Sequence, residues 1–393
     1  MTILRGRQFL HTPGPTNMPD RILRAMDRPA IDHRSPEFKQ LSDECFEGLR
    51  GVFKTKSPVL VFPSAGHGAW EAALVNTCSP GDTVLMAETG AFSDMWKRMA
   101  EAFGILVEYT PGDWRHGANP DAIYDRLLAD QARSIKAVAI VHNETSTGVT
   151  TRLTDVREAI DRAKHPALFL VDTISSLASM DFRMDEWKVD VAIGGSQKGL
   201  MLPPGLSFNG ISKKAFLSSQ SGRLPRRYWD WNIIMPDGVT PGFLSTPAIN
   251  MFFGLHEALS MLNEEGLDRV FARHTRLAQA VRKAVVHWGQ EGSIELLSKD
   301  PREHSNSVSA ILMTDTYNAD EIRSACAQYT NVALAAGLDR LAGKVFRIGH
   351  LGDLNEPMIL GTLGAIEMTF KTMGVAYHPG GPTAAIDFLA SSV

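Results

Sequence analysis

The feature that most constrains this chain is a repeated change of hydrophobic period. Through the first two-thirds, short runs of consecutive apolar residues alternate with amphipathic stretches of helical spacing. The runs predict strands over 57–63, 83–87, 105–109, 136–142, 167–172 and 189–194. The stretches between them predict helices over 68–77, 92–103, 120–130 and 154–163. Strands that are apolar at every position are covered on both faces, so the pattern predicts an α/β fold with a mostly parallel sheet. Sheets of that kind bind ligands at the carboxyl ends of their strands, and chemistry is expected there.

From about residue 255 the texture changes. A long amphipathic helix is expected over 255–288, then weaker strands over 307–313 and 344–349, with helices over 319–329 and 356–373. These read as a smaller α+β domain. The expected division is an N-terminal segment, 1–20, reaching the active site, a large domain over 21–258 and a small C-terminal domain over 259–393. At 393 residues and 44% hydrophobic, the chain is long and apolar enough for two cores. Forty basic residues against 44 acidic ones, scattered along the chain, argue against a nucleic-acid partner. The three cysteines, Cys45, Cys78 and Cys326, are too far apart for a disulfide framework or an all-cysteine metal site, and no metal is expected. No apolar run reaches ~18 residues, and the N-terminus lacks a stretch of signal-peptide length, so the expectation is a cytoplasmic protein with no membrane partner.

Four strand ends carry the candidate chemistry. Pro63-Ser-Ala-Gly-His-Gly-Ala-Trp-Glu71 follows a strand and opens a helix, where small residues and free N–H groups suit an anion. A tight turn would look the same. Val141-His-Asn-Glu-Thr-Ser-Thr-Gly148 sets several hydrogen-bonding side chains at the end of a strand, as many polar loops do. Asp172 ends the run Leu-Phe-Leu-Val, where an unpaired acid is costly, and it is either an N-cap or the partner of a buried cation. Gly194-Gly-Ser-Gln-Lys-Gly199 places Lys198 just past a buried strand. There it is either a solvated loop lysine or an amine with a lowered pKa that attacks aldehydes. A phosphate anchor, a carboxylate and a Schiff-base lysine together point to pyridoxal 5′-phosphate.

With those motifs in place, the chain resembles the class V aminotransferases of PLP fold type I, in the alanine/serine–glyoxylate group and nearest to bacterial serine–glyoxylate enzymes. The resemblance rests on Thr12-Pro-Gly-Pro-Thr-Asn17, Ser64-Ala-Gly-His67, Trp70-Glu-Ala-Ala73, Asn143-Glu-Thr-Ser-Thr-Gly148, Val171-Asp172, Gly195-Ser-Gln-Lys198 and Phe346-Arg-Ile-Gly349. It implies a seven-stranded sheet and these roles. Lys198 binds the cofactor covalently and moves the substrate proton, while Asp172 pairs with the ring nitrogen. Phe92 and Ile174 flank the ring. Ala65, Gly66 and His67, helped by Gln197, cradle the phosphate, and Thr145 approaches the polar edge. Arg347 takes the substrate carboxylate, with Asn17 and Arg34 as further substrate-binding candidates. Thr246 serves the neighbouring subunit, which implies a homodimer with shared sites, or a higher oligomer. Phe243 and Ser245-Thr-Pro-Ala248 depart from the family pattern and bear on substrate preference.

The expected reaction is ping-pong transfer from a small amino acid, serine first, to glyoxylate. Aspartate and alanine are the alternative donors. A lyase or desulfurase on the same fold would need a mobile cysteine, and a cofactor-binding regulator would carry an added DNA-binding module. Neither feature is evident.

Overall fold

The computed structural model describes residues 6–392, so expectations touching residues 1–5 lie outside the described residues. Two sheets organise the chain. The larger has seven strands in the order Val59–Phe62, Ser207–Ile211, Val191–Gly195, Leu168–Asp172, Ile135–Val141, Thr83–Ala87 and Leu106–Thr110. Six run the same way, and Ser207–Ile211 alone opposes its neighbours. The expected strands all form, with ends shifted by a residue or two. Ser207–Ile211 lacked a sequence signal because Ser-Phe-Asn-Gly-Ile reads as polar and glycine-rich, yet every residue of it is buried.

The side-chain period of two divides each central strand between two cores. Val138, Ile140, Phe169 and Val171 point into one, with Phe38, Leu49, Phe208 and Phe252. Ala137, Ala139, Leu168 and Leu170 point into the other, with Trp70, Leu74 and Trp96. This double burial is why the strands read as unbroken apolar runs.

The helices start where local chemistry provides a cap. Asn119 accepts from the N–H groups of Asp121 and Ala122 ahead of Pro120–Ala129, and Ser35 does the same for Pro36–Phe53. The helix Gly66–Thr77 is different. It has no side-chain cap and no acid in its first turn.

The second sheet has the order Phe9–His11, Val332–Ala336, Val345–Gly349, Val308–Met313, Ile294–Leu296. Its core includes Leu277, Val281, Trp288, Phe346, Ile348, Leu363 and Phe370. The N-terminal strand pairs parallel with Val332–Ala336, so the start of the chain is tied to the C-terminal sheet. The helix expected over 255–288 is two helices, Ile249–Glu265 and Leu267–Trp288, divided at Gly266 with φ +83°. Apolar periodicity continues across that break, so the pattern alone reads as one helix. Residue 258, the expected domain boundary, lies inside Ile249–Glu265, whose Leu255, Ala258 and Leu262 belong to the first core.

Candidate active site

The parallel strands deliver four loops to one end of the larger sheet. Asp172 closes Leu168–Asp172 and pairs in register with Ile193 on the adjacent strand, so the loop carrying Lys198 begins beside it. Lys198 is buried, and its Nζ donates to the carbonyl oxygen of Pro13 at 2.5 Å. Thr16 Oγ1 donates to the Lys198 carbonyl at 3.3 Å. Gly14 makes this approach possible. It has φ +124°, and a Cβ there would lie 2.6 Å from Lys198 Nζ.

Burial, reinforced by the Arg347 charge and opposed by Asp172, lowers the Lys198 amine to about 8. Asp172 moves the other way. Burial raises its carboxyl to about 7, and the Glu144 charge adds to this. The Ile174 N–H, donating to Oδ1 at 2.7 Å, and the Lys198 charge work against that rise. The Trp70 indole N–H is near enough to pull the carboxyl down slightly but completes no hydrogen bond. A cation placed against Asp172 would return it to the charged form.

Ile174 packs between two glycines. A Cβ on Gly66 would meet Ile174 Cδ1 at 2.3 Å, and one on Gly195 would meet Ile174 Cγ2 at 3.3 Å. Gln197 Oε1 lies 3.3 Å from that same Gly195 position and is buried without a hydrogen-bond partner. Rotation of the amide presents its NH2 group there instead. With the uncapped N–H groups of Gly66–Thr77, these residues suit a phosphate group. The His67 ring packs tilted against Trp70, with centroids 4.4 Å apart. Burial and the Lys198 charge hold its imidazole below the ordinary value. Phe92 meets Trp70 edge-on at 6.4 Å.

Glu144 was not singled out by the sequence. Its buried carboxylate accepts from the N–H groups of Phe92 at 3.3 Å and Ser93 at 3.1 Å, opening the helix Ala91–Ala102. Ser146 Oγ also donates to it at 2.6 Å. It therefore fixes the turn that carries Phe92. An acid within a polar loop after a buried strand was the available signal.

Arg347 arrives from the second sheet. Phe346 and Ile348 point into that sheet's core, so alternation turns Arg347 to the opposite face. Its Nε donates to Ala336 O at 2.8 Å and one Nη to Thr145 O at 2.9 Å. Among the described residues no carboxylate forms a salt bridge with it, and burial lowers it to about 10. The Thr145 hydroxyl donates to Ser175 Oγ at 2.7 Å.

Lys198, Asp172, Ile174, Gly66, His67, Gln197 and Arg347 are thus brought together, with Phe92 and Thr145 at the edge. Three other expected residues are tied to other partners or exposed to solvent. The Asn17 amide is committed to the Leu10 backbone, donating to its oxygen at 2.9 Å and accepting from its nitrogen at 3.2 Å. Arg34 is exposed, and its backbone N–H donates to Asp32 at 3.0 Å. Thr246 is exposed on a groove with Pro63, Tyr228 and Phe243, and Phe243 packs among Phe38, Phe46 and Phe252. The three cysteines are buried, and burial raises each thiol, Cys78 to about 12. None is placed to act as a mobile nucleophile.

A lysine and an acid at the ends of neighbouring parallel strands, with an arginine from a second sheet, define an α/β enzyme that works at the strand ends. The chain belongs to the class V aminotransferases, matching that family over residues 8–342. It is similar to the serine–glyoxylate aminotransferase of Methylorubrum extorquens, with 47% identity covering 97% of this chain and 95% of that protein. It is similar also to the L-aspartate–glyoxylate aminotransferase of Paracoccus denitrificans, at 43% identity over 95% of this chain and 93% of that one. The crystal structure of ureidoglycine–glyoxylate aminotransferase from Bacillus subtilis superposes with a TM-score of 0.90 at 26% identity, covering 99% of this chain and 100% of that one.

Proposed function

We propose that this aminotransferase uses pyridoxal 5′-phosphate to move the amino group of a small amino acid, serine first, to glyoxylate, giving glycine and an oxo acid. The observation that carries this is the Lys198–Asp172 pair, buried together while each is shifted toward its neutral form by burial. Such a pair is costly unless a third charged group completes it. The name of the Methylorubrum relative supports serine as the donor, that of the Paracoccus relative supports aspartate, and both support glyoxylate as the acceptor.

Ala65, Gly66 and His67 would hold the phosphate through backbone N–H groups, with Gln197 and Thr246 of the partner subunit assisting. Asp172 would face the ring nitrogen and keep it protonated. Phe92 and Ile174 would flank the ring, and Thr145 would line its polar edge. Once bound, the cofactor supplies an aldehyde for amine exchange and a ring that draws electrons from the substrate Cα. Lys198, with its amine near 8, is suited to accept the Cα proton and return it. Arg347 would grip the substrate carboxylate and set the Cα–H bond against the ring. Each half-reaction reuses the same groups, so the kinetics are ping-pong.

The exposed Thr246 supports a homodimer with shared sites. Asn17, through its bonds to Leu10, would steady the N-terminal segment whose Pro13 and Thr16 meet Lys198, and Arg34 would meet substrate across such an interface. The division into segments 1–20, 21–258 and 259–393 and a cytoplasmic location complete the reading. The test is to mix coloured holoenzyme with serine, aspartate or alanine without acceptor. Visible absorbance should fall fastest with serine. Loss with aspartate alone would replace serine as the donor.

A further inference from the structure

A second buried guanidinium lies outside the amino-transfer machinery. Arg282, on the helix Leu267–Trp288, donates from Nη1 to Ser305 O at 2.8 Å and from Nη2 to Asn306 Oδ1 at 3.2 Å. Among the described residues no carboxylate forms a salt bridge with it. Burial lowers it to about 10, and no acid opposes that fall. Arg347 is also bonded only to neutral oxygens, but there the Glu144 charge opposes the fall.

The guanidinium borders a small cavity with Ser298, His304, Thr147, Gly148 and Ser309. Ser298 is 7% exposed, and its buried Oγ has no hydrogen-bond partner. Ser309 Oγ is paired with His350 Nε2 at 3.0 Å, and His304 Nε2 lies 3.3 Å from Ser298 O. The acid in charge range of His304 is Asp300, which is bound to Arg302 at 2.6 Å. The wall therefore offers one positive charge, one unused hydroxyl and no negative charge. The cavity volume is about 10 Å³, on the order of one small atom.

We propose that this cavity binds a single monatomic anion of the halide class, such as chloride, between Arg282 and Ser298 Oγ. A buried charge without a partner costs several kcal/mol, and an anion of that size would supply the partner. The location gives the site a structural consequence. Ser305 N donates to Gly148 O at 2.9 Å, and Val149 bridges His304. These contacts join the second sheet to the loop whose other end carries Glu144 and Thr145. An anion at Arg282 would lock that junction.

Crystals of the holoenzyme soaked in bromide would test this directly. An anomalous peak touching both Arg282 and Ser298 Oγ is expected. A buried water only, or a sulfate in the cavity, would overturn the proposal. In solution, replacing gluconate with chloride at equal ionic strength should raise the melting temperature by about 3 °C once the anion exceeds its Kd several-fold. Arg282→Met should abolish this response. Should that variant fail to fold, Ser298→Ala should weaken the response without removing it. Equal melting in both salts for the unmodified enzyme would contradict the proposal.

Discussion

Asp172 ends one strand of the larger sheet and Lys198 sits in the loop after its neighbour, whereas Arg347 crosses from the other sheet. The first two are linked by a short register, Asp172 opposite Ile193, and the larger fold can hardly form without placing them together. Arg347 depends on how the second sheet packs, through its hydrogen bond to Thr145 O. The cofactor end of the site is thus built by local topology. The substrate end is built by contact between two sheets and should be more easily disturbed on its own.

Removing the nucleophile tests the first half of that comparison most severely. Lys198→Ala should reduce glycine formation by at least about 10⁴-fold, as measured with saturating substrates. Arg347→Gln should spare cofactor retention yet lower kcat/KM by about 10²-fold. Loss of cofactor together with substrate affinity would break the proposed separation between the sheets.

Much of the cofactor end was legible in the sequence because an acid and a lysine ending apolar runs stand out against their surroundings. Arg347 was legible only through Phe-Arg-Ile-Gly, since nothing local tells a strand arginine which sheet it will face. Three features had no local signal. The Pro13 carbonyl that receives Lys198, the strand Ser207–Ile211 and the commitment of Asn17 to Leu10 all depend on where the chain meets itself. Gly266 shows the reverse problem, a break hidden beneath continuous periodicity.

Two smaller effects sharpen the account of the buried pair. A carboxyl raised from 3.8 to about 7 in the folded state opposes folding above 3.8, and does so fully above 7. Asp172→Asn should therefore stabilise the apoenzyme at pH 8 by roughly 1–3 kcal/mol, and by little near pH 4, while impairing turnover. Denaturant melts of cofactor-free protein at both pH values measure this. For Lys198, lowered from 10.5 to about 8, the reactive free amine is the minor form below pH 8. Cofactor uptake by the apoenzyme should then rise about tenfold per pH unit up to pH 8 and level off above it. A rise continuing to pH 10 would mean that burial does not shift this amine.

The central claim is that Lys198 is the covalent anchor of the site. Borohydride reduction of the enzyme loaded with pyridoxal 5′-phosphate, followed by peptide mass spectrometry, tests it most directly. One stable adduct per chain is expected, on the peptide containing Lys198. An adduct on another lysine, or none, would contradict it.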